Sequence, residues 1–148
     1  NLDYMVQALR PLSFGLLMTL ALAAATILIG LPLGLALAVL RAMQIRAISF
    51  VIVVFADVFR ALPPLVVLIV MYFGLPYAGI NIGPFLCAAL TLGLVLAALA
   101  EEIFWAGIIA VPRGQWEAAR ASGMTFFQTL LTIVVPQGVR LVIPPLTN

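Results

Sequence analysis

The 148-residue sequence contains no histidine and no lysine, a single cysteine (Cys87), and only twelve charged side chains, seven arginines and five acids. Each scarcity closes a class of chemistry. Without histidine there is no imidazole base for a nucleophilic triad and no ligand set for most zinc sites. Without lysine there is no phosphate-gripping P-loop, whose Gly-x-x-x-x-Gly-Lys-Ser/Thr motif needs that ammonium on the nucleotide. One cysteine cannot staple a disulfide scaffold. Together these gaps leave almost nothing from which to build an intramembrane enzyme, so no catalytic, metal or cofactor-binding residue is assigned.

What is present is hydrocarbon. Apolar residues make up 66% and charged residues 8% of the chain, against roughly 45–50% and roughly 25% in soluble domains. A fold of this size presents a large surface to its solvent. Twelve charges cannot cover that surface in water, so lipid is the solvent over most of it. The same apolar surplus excludes disorder. The formal net charge of +2 bears on membrane topology rather than on nucleic acid.

A helix crossing about 30 Å of hydrocarbon needs about 20 apolar residues. Residues 12–40 qualify without a charge, and Pro32 between Gly30 and Gly34 predicts a kink or break there. The same two glycines also fit a close helix-packing motif. Residues 47–73 qualify with Asp57, Arg60 and Pro63-Pro64 inside, and residues 82–111 with Glu101 and Glu102 inside. A fourth stretch starts after residue 130 and is cut by Pro136, Pro144 and Pro145. The chain starts at Asn1 and stops at Asn148 within that stretch, which reads as a piece of a longer protein truncated before its final spans. No signal-peptide pattern precedes the first apolar run. With neither an internal repeat nor a soluble domain, 1–148 reads as a single all-α, polytopic transmembrane helix bundle.

Arginine is held on the cytoplasmic side of bacterial membranes. One orientation places Arg41, Arg46, Arg113 and Arg120 in the cytoplasm and only Arg10 outside, so an external N-terminus is expected. The one long polar segment, 112–136, is then cytoplasmic. Within it, Gln115 to Ser122 suits a short helix, Gly123 a left-handed helix stop, and Thr125 with Gln128 a capping box. A second helix is expected from Phe126 until Pro136 interrupts it. The small residues Ala118, Ala119 and Gly123 permit close approach of another surface, with Trp116 and Phe126 available to fill pockets on it. An amphipathic connector resting on lipid headgroups accounts for the same residues equally well.

Glu117-Ala118-Ala119, Gly123 after three intervening residues, Ile133 after nine more, and Pro136 resemble the EAA motif of bacterial ABC importer permeases, with Val135 standing where that family has leucine. Phe59-Arg60-Ala61-Leu62-Pro63-Pro64-Leu65-Val66, Tyr72-Phe73-Gly74-Leu75-Pro76, Gly114-Gln115-Trp116-Glu117-Ala118-Ala119-Arg120 and Pro144-Pro145-Leu146-Thr147-Asn148 are similar to stretches of its polar amino acid uptake branch. The third span departs from that branch. Glu101-Glu102-Ile103-Phe104-Trp105 stands where the branch has Ala-Glu-Ile-Phe-Arg. The resemblance implies the type I permease fold and a multi-pass place in the bacterial cytoplasmic membrane. It implies a second permease subunit, identical or not, a separate ATP-binding subunit dimer that hydrolyses ATP, and an extracytoplasmic substrate-binding protein. It also implies that Trp116, Glu117, Ala118, Ala119, Arg120 and Gly123 dock on the ATPase, and that the cargo is a polar amino acid or related zwitterion.

Charges within a span are costly, about 2.5–3.5 kcal/mol at the bilayer centre on insertion scales. They face a protein interior or a water-filled path. Asp57 and Arg60, three residues apart, share a helix face. They fit either a self-neutralising pair or a translocation path in which acid and arginine each meet half of a zwitterion. Glu101 and Glu102 point about 100° apart. Glu102 aligns with the family's glutamate, while Glu101 suits an arginine on a neighbouring span or a cationic substrate. Thr147 and Asn148, at the start of a proline-broken helix, are further path candidates. A permease for another small solute and an ion-coupled secondary carrier are the competing readings.

Overall fold

The computed structural model describes residues 2–146, and all regular structure there is helical. Thr147 and Asn148 lie outside the described residues. In chain order come α1 (Leu2–Ala42), α2 (Arg46–Ala61), α3 (Pro64–Tyr77), α4 (Pro84–Ala110), α5 (Arg113–Ala121) and α6 (Phe126–Thr129). A five-residue π-turn (Leu130–Val134) then leads into α7 (Val135–Leu146). Three helical runs are long and apolar enough to cross a membrane: Leu9–Ala42, Pro84–Ala110 and Phe126–Pro144. The pair α2–α3 makes a fourth candidate, bent by 103° at its break.

α4 is the axis of the bundle, with α1, α2, α3 and α7 all packed on it. Lipid tails are as apolar as leucine, so helices in a bilayer associate through close packing rather than hydrophobic burial. The α1–α4 seam meets that requirement with small residues. Gly30, Gly34, Ala38 and Ala42 recur every fourth position of α1 and are all buried. Opposite them stand the buried Gly93, Ala97 and Ala100. A Cβ on Gly34 would lie 2.7 Å from Ala100 Cβ and 2.9 Å from the Ala97 carbonyl oxygen. Gly30-x-x-x-Gly34 is therefore a packing motif, and the break expected at Pro32 is absent, since α1 runs unbroken to Ala42. A single proline removes one ladder bond, and packing against a neighbouring helix holds the turn in place. α7 crosses α4 in the same manner, with Gly138 against the backbone of Gly107, where an added Cβ would sit 3.0 Å from the Gly107 carbonyl oxygen.

Two further expectations about proline are corrected. The stretch 47–73 is not one helix. Leu62 and Pro63 both precede a proline and both are extended, with ψ of 134° and 135°. The residue before proline is driven out of the helical region. Two in succession end α2, and Pro64 opens α3 at the first helical position. Pro136, conversely, does not stop its helix. The π-turn widens the preceding ladder so that the Val135 N–H donates to the Leu130 carbonyl five residues back. The Thr132 hydroxyl also donates to the Gln128 carbonyl at 2.6 Å. The helix thus passes the imino ring and runs on.

Gly34→Leu is expected to prise α1 from α4 at a cost of about 1–3 kcal/mol, read as a lower unfolding midpoint in detergent. Gly74→Ala, where an added Cβ meets nothing within 4 Å, is expected to hold or raise the midpoint.

Candidate functional site

Two sites emerge, one on the polar segment and one among the intramembrane charges. α5 ends as its glycine dictates. Gly123 has φ +85°. Its N–H donates to the Arg120 carbonyl (3.0 Å) and the Met124 N–H to the Ala119 carbonyl (3.2 Å), a Schellman closure. Thr125 and Gln128 then form the expected reciprocal capping box, with the Thr125 N–H donating to Gln128 Oε1 at 2.8 Å and the Gln128 N–H to Thr125 Oγ1 at 3.3 Å. α5 and α6 are locked together by Trp116 stacked on Phe126, ring centroids 5.6 Å apart. Gln137 on α7 donates to Gln115 on α5 at 3.3 Å.

This geometry sorts the residues of the motif by exposure. Glu117, Ala118, Arg120 and Gly123 are exposed. Ala119 is buried, and Trp116 and Phe126 are half-buried against the protein's own apolar core. Trp116 and Phe126 therefore do not project as pocket-filling side chains. A 100° step per residue puts Ala119 on the opposite side of the helix from Glu117. The outward face is narrower than the motif.

The charges form one chain of alternating sign. Arg41 Nη1 donates to both oxygens of Glu101, at 3.1 and 3.3 Å, and to Glu102 Oε2 at 3.4 Å. Arg60 Nη1 lies 3.3 Å from Glu102 Oε2, and Arg60 Nη2 is hydrogen-bonded to Asp57 Oδ1. The Arg41 guanidinium also rests on the face of Trp105, 4.6 Å from the ring centroid. Burial grades along the chain. The side chains of Glu101 and Arg41 are 0% and 17% exposed, those of Arg60, Glu102 and Asp57 33%, 42% and 60%.

Asp57 and Arg60 thus make the pair that their spacing implies, and Arg60 reaches on to Glu102. Glu101 finds its arginine on a neighbouring helix. Its carboxylate is enclosed between α1 and α4, with the side chain fully buried. Sequence reasoning took Arg41 only as a topology marker and Trp105 only as a departure from the family pattern. The signal that was there is an acid within a span that needs a cation, and Arg41 ends the charge-free run that packs against it. Removing one member of a buried ion pair leaves its partner's charge uncompensated, at about 3–5 kcal/mol. Arg41→Gln, which leaves the fully buried Glu101 carboxylate without its partner, is expected to lower the unfolding midpoint by that measure, whereas the exposed Glu117→Gln should change stability by no more than about 0.5 kcal/mol.

Comparison with known proteins gives these features a context. The chain is 35% identical over 147 residues to the L-cystine transport system permease protein TcyB of Bacillus subtilis, a match covering 99% of this chain and 63% of that protein. It is 38% identical to the arginine ABC transporter permease protein ArtQ of Haemophilus influenzae, covering 89% of this chain and 62% of that one. It therefore spans a little over three-fifths of the length of these curated relatives, 62–63%. A crystal structure of an amino acid ABC transporter with histidines superposes with a TM-score of 0.83 at 35% identity, covering 99% of this chain and 68% of that one. An inward-facing MetNI methionine ABC transporter superposes with a TM-score of 0.60 at 26% identity, covering 89% of this chain and 62% of that one. Residues 30–148 match the family pattern itself. The chain belongs to the family of binding-protein-dependent transport system inner membrane components, with the all-α fold of its type I members.

Proposed function

We propose that this chain forms the transmembrane core of one subunit of an ATP-binding-cassette importer for polar amino acids or related zwitterions. The observation that carries this reading is the α5–Gly123–α6 element. A nine-residue helix is marginal on its own in water. Here both of its ends and its aromatic side are tied down, and it leads through the π-turn into α7. Such an element transmits a rigid-body displacement from a groove on an ATPase into the spans, which is alternating access by rocking. Glu117, Ala118, Arg120 and Gly123 form its docking face, while Trp116 and Ala119 brace that face from behind. ATP hydrolysis belongs to a separate subunit dimer. A second permease subunit completes the path, and an extracytoplasmic binding protein delivers the cargo.

The N-terminus is external, so the α5–α6 element and the Arg41–Arg46 turn are cytoplasmic. Asp57, Arg60 and Glu102 line the path. Their exposure in the isolated chain suits a surface that faces a partner subunit or water rather than lipid. Thr147 and Asn148, just beyond α7, extend the path. Glu101 serves the path only through Arg41.

The full-length protein, tagged and co-expressed with its genomic neighbours, is expected to co-purify with an ATPase. Ala118→Arg, on an exposed position, should keep the unfolding midpoint yet cut ATPase recovery about tenfold or more, the equivalent of about 1.4 kcal/mol. Gly123→Asp should do the same by disrupting the turn. Uptake by the wild type with no ATPase bound would overturn the importer reading in favour of an ion-coupled carrier. Orientation has its own test, because Cys87 is buried and Cys87→Ala gives a silent background. In intact cells an impermeant maleimide is expected to label Ala78→Cys and spare Ser122→Cys, and the reverse pattern would invert the topology.

A further inference from the structure

Three contacts converge on Arg41, the penultimate residue of α1. Glu101 takes its guanidinium with both oxygens, Glu102 takes it at 3.4 Å, and the Trp105 ring lies beneath it. Glu101 and Trp105 are four residues apart on α4, so a single helix face grips the cation from two sides.

Neutralising Glu101 does not use up Arg41. Its remaining contact is Glu102, and the other partner of Glu102 is Arg60. Arg60 stands at the end of α2, directly before the extended Leu62-Pro63 that bends the span by 103°. The two halves of the chain differ in strength. The buried Arg41–Glu101 pair cannot part without stranding a charge. The half-exposed Arg60–Glu102 pair is weak and open to competition. A fixed base therefore carries an exchangeable end.

We propose that Arg41, clamped by Glu101 and Trp105, is a positioning residue for transport. It holds Glu102 so that the Arg60–Glu102 pair latches the end of α2 onto α4. A zwitterionic substrate opens that latch by setting its carboxylate on Arg60 and its ammonium on Glu102. The proposal rests on the importer reading and adds to it three residues that do not touch the cargo.

The test uses the full-length transporter with its ATPase and binding protein in proteoliposomes, and radiolabelled L-glutamine, L-arginine and L-cystine as probes. Rates are taken per folded complex. Arg41→Gln/Glu101→Gln removes both buried charges together, so its unfolding midpoint should stay within about 2 °C of wild type. Its maximal uptake rate should nonetheless fall roughly tenfold. The half-saturating concentration should stay within about twofold, because a lost interaction that matters only during turnover lowers rate rather than capture. Trp105→Leu alters a half-exposed side chain and keeps every charge. It should lower the maximal rate severalfold at an unchanged midpoint. Wild-type rates in both variants would make the clamp a packing feature and overturn the proposal, with the importer reading intact. A wild-type complex that imports none of the three probes and carries no ATPase would overturn both.

Discussion

Everything in this bundle depends on how closely α1 can approach α4. Lipid offers two apolar helices no hydrophobic reward for touching, so only tight packing and polar contacts hold them. Gly30, Gly34, Ala38 and Ala42 strip one face of α1 down to backbone, and Gly93, Ala97 and Ala100 do the same for α4. At Gly34 the helices are so near that an added Cβ would lie 3.1 Å from the Glu101 backbone nitrogen. Arg41 follows seven residues later, two turns along the same face. A bulkier seam would separate Arg41 from Glu101 and leave a buried carboxylate unpaired. The ion pair is thus a consequence of the small residues, and it fixes the register that small residues alone leave loose.

From that seam a mechanical path runs to the α5–α6 element. α7 rests on α4 through the Gly107–Gly138 contact, the π-turn carries α7 past Pro136, and the capping box and Schellman turn join α6 to α5. Each junction is closed by hydrogen bonds or by backbone contact rather than by long flexible side chains. The Trp116–Phe126 stack and the Gln137–Gln115 bond brace the far end. A push on the exposed face of α5 has few places to dissipate before it reaches α4, on which the charged chain is mounted.

Local chemistry was legible in the sequence wherever the partners lie within one turn. Gly123, the Thr125–Gln128 box and the Asp57–Arg60 pair all follow from spacing alone. The prolines were harder, because their effect depends on what surrounds them. A lone Pro32 or Pro136 forfeits one bond, and a tightly packed neighbour or a π-turn absorbs the loss. Pro63-Pro64 places two successive residues before a proline, and no neighbour can hold both helical. Arg41 and Glu101 are sixty residues apart, so their meeting follows from the crossing of α1 and α4 and not from any local pattern. The inward turn of Trp116 and Ala119 was hidden for a related reason. A motif lists residue types, whereas burial is decided by which side of a short helix meets the core.

On the importer reading, the charged chain also bears on which solutes suit the proposed path. Its exposed end holds one guanidinium between two carboxylates, and its buried end is already neutral. With Asp57, Arg60 and Glu102 that end carries one surplus negative charge, so an anion entering it meets a like charge, which is costly where the dielectric is low. A zwitterion replaces cation with cation and anion with anion, so the site's net charge is the same before, during and after passage. On the importer reading, selectivity at this level begins with charge before shape. It follows from a latch that is itself a pair of opposite charges, held in place by a clamp too deeply buried to yield.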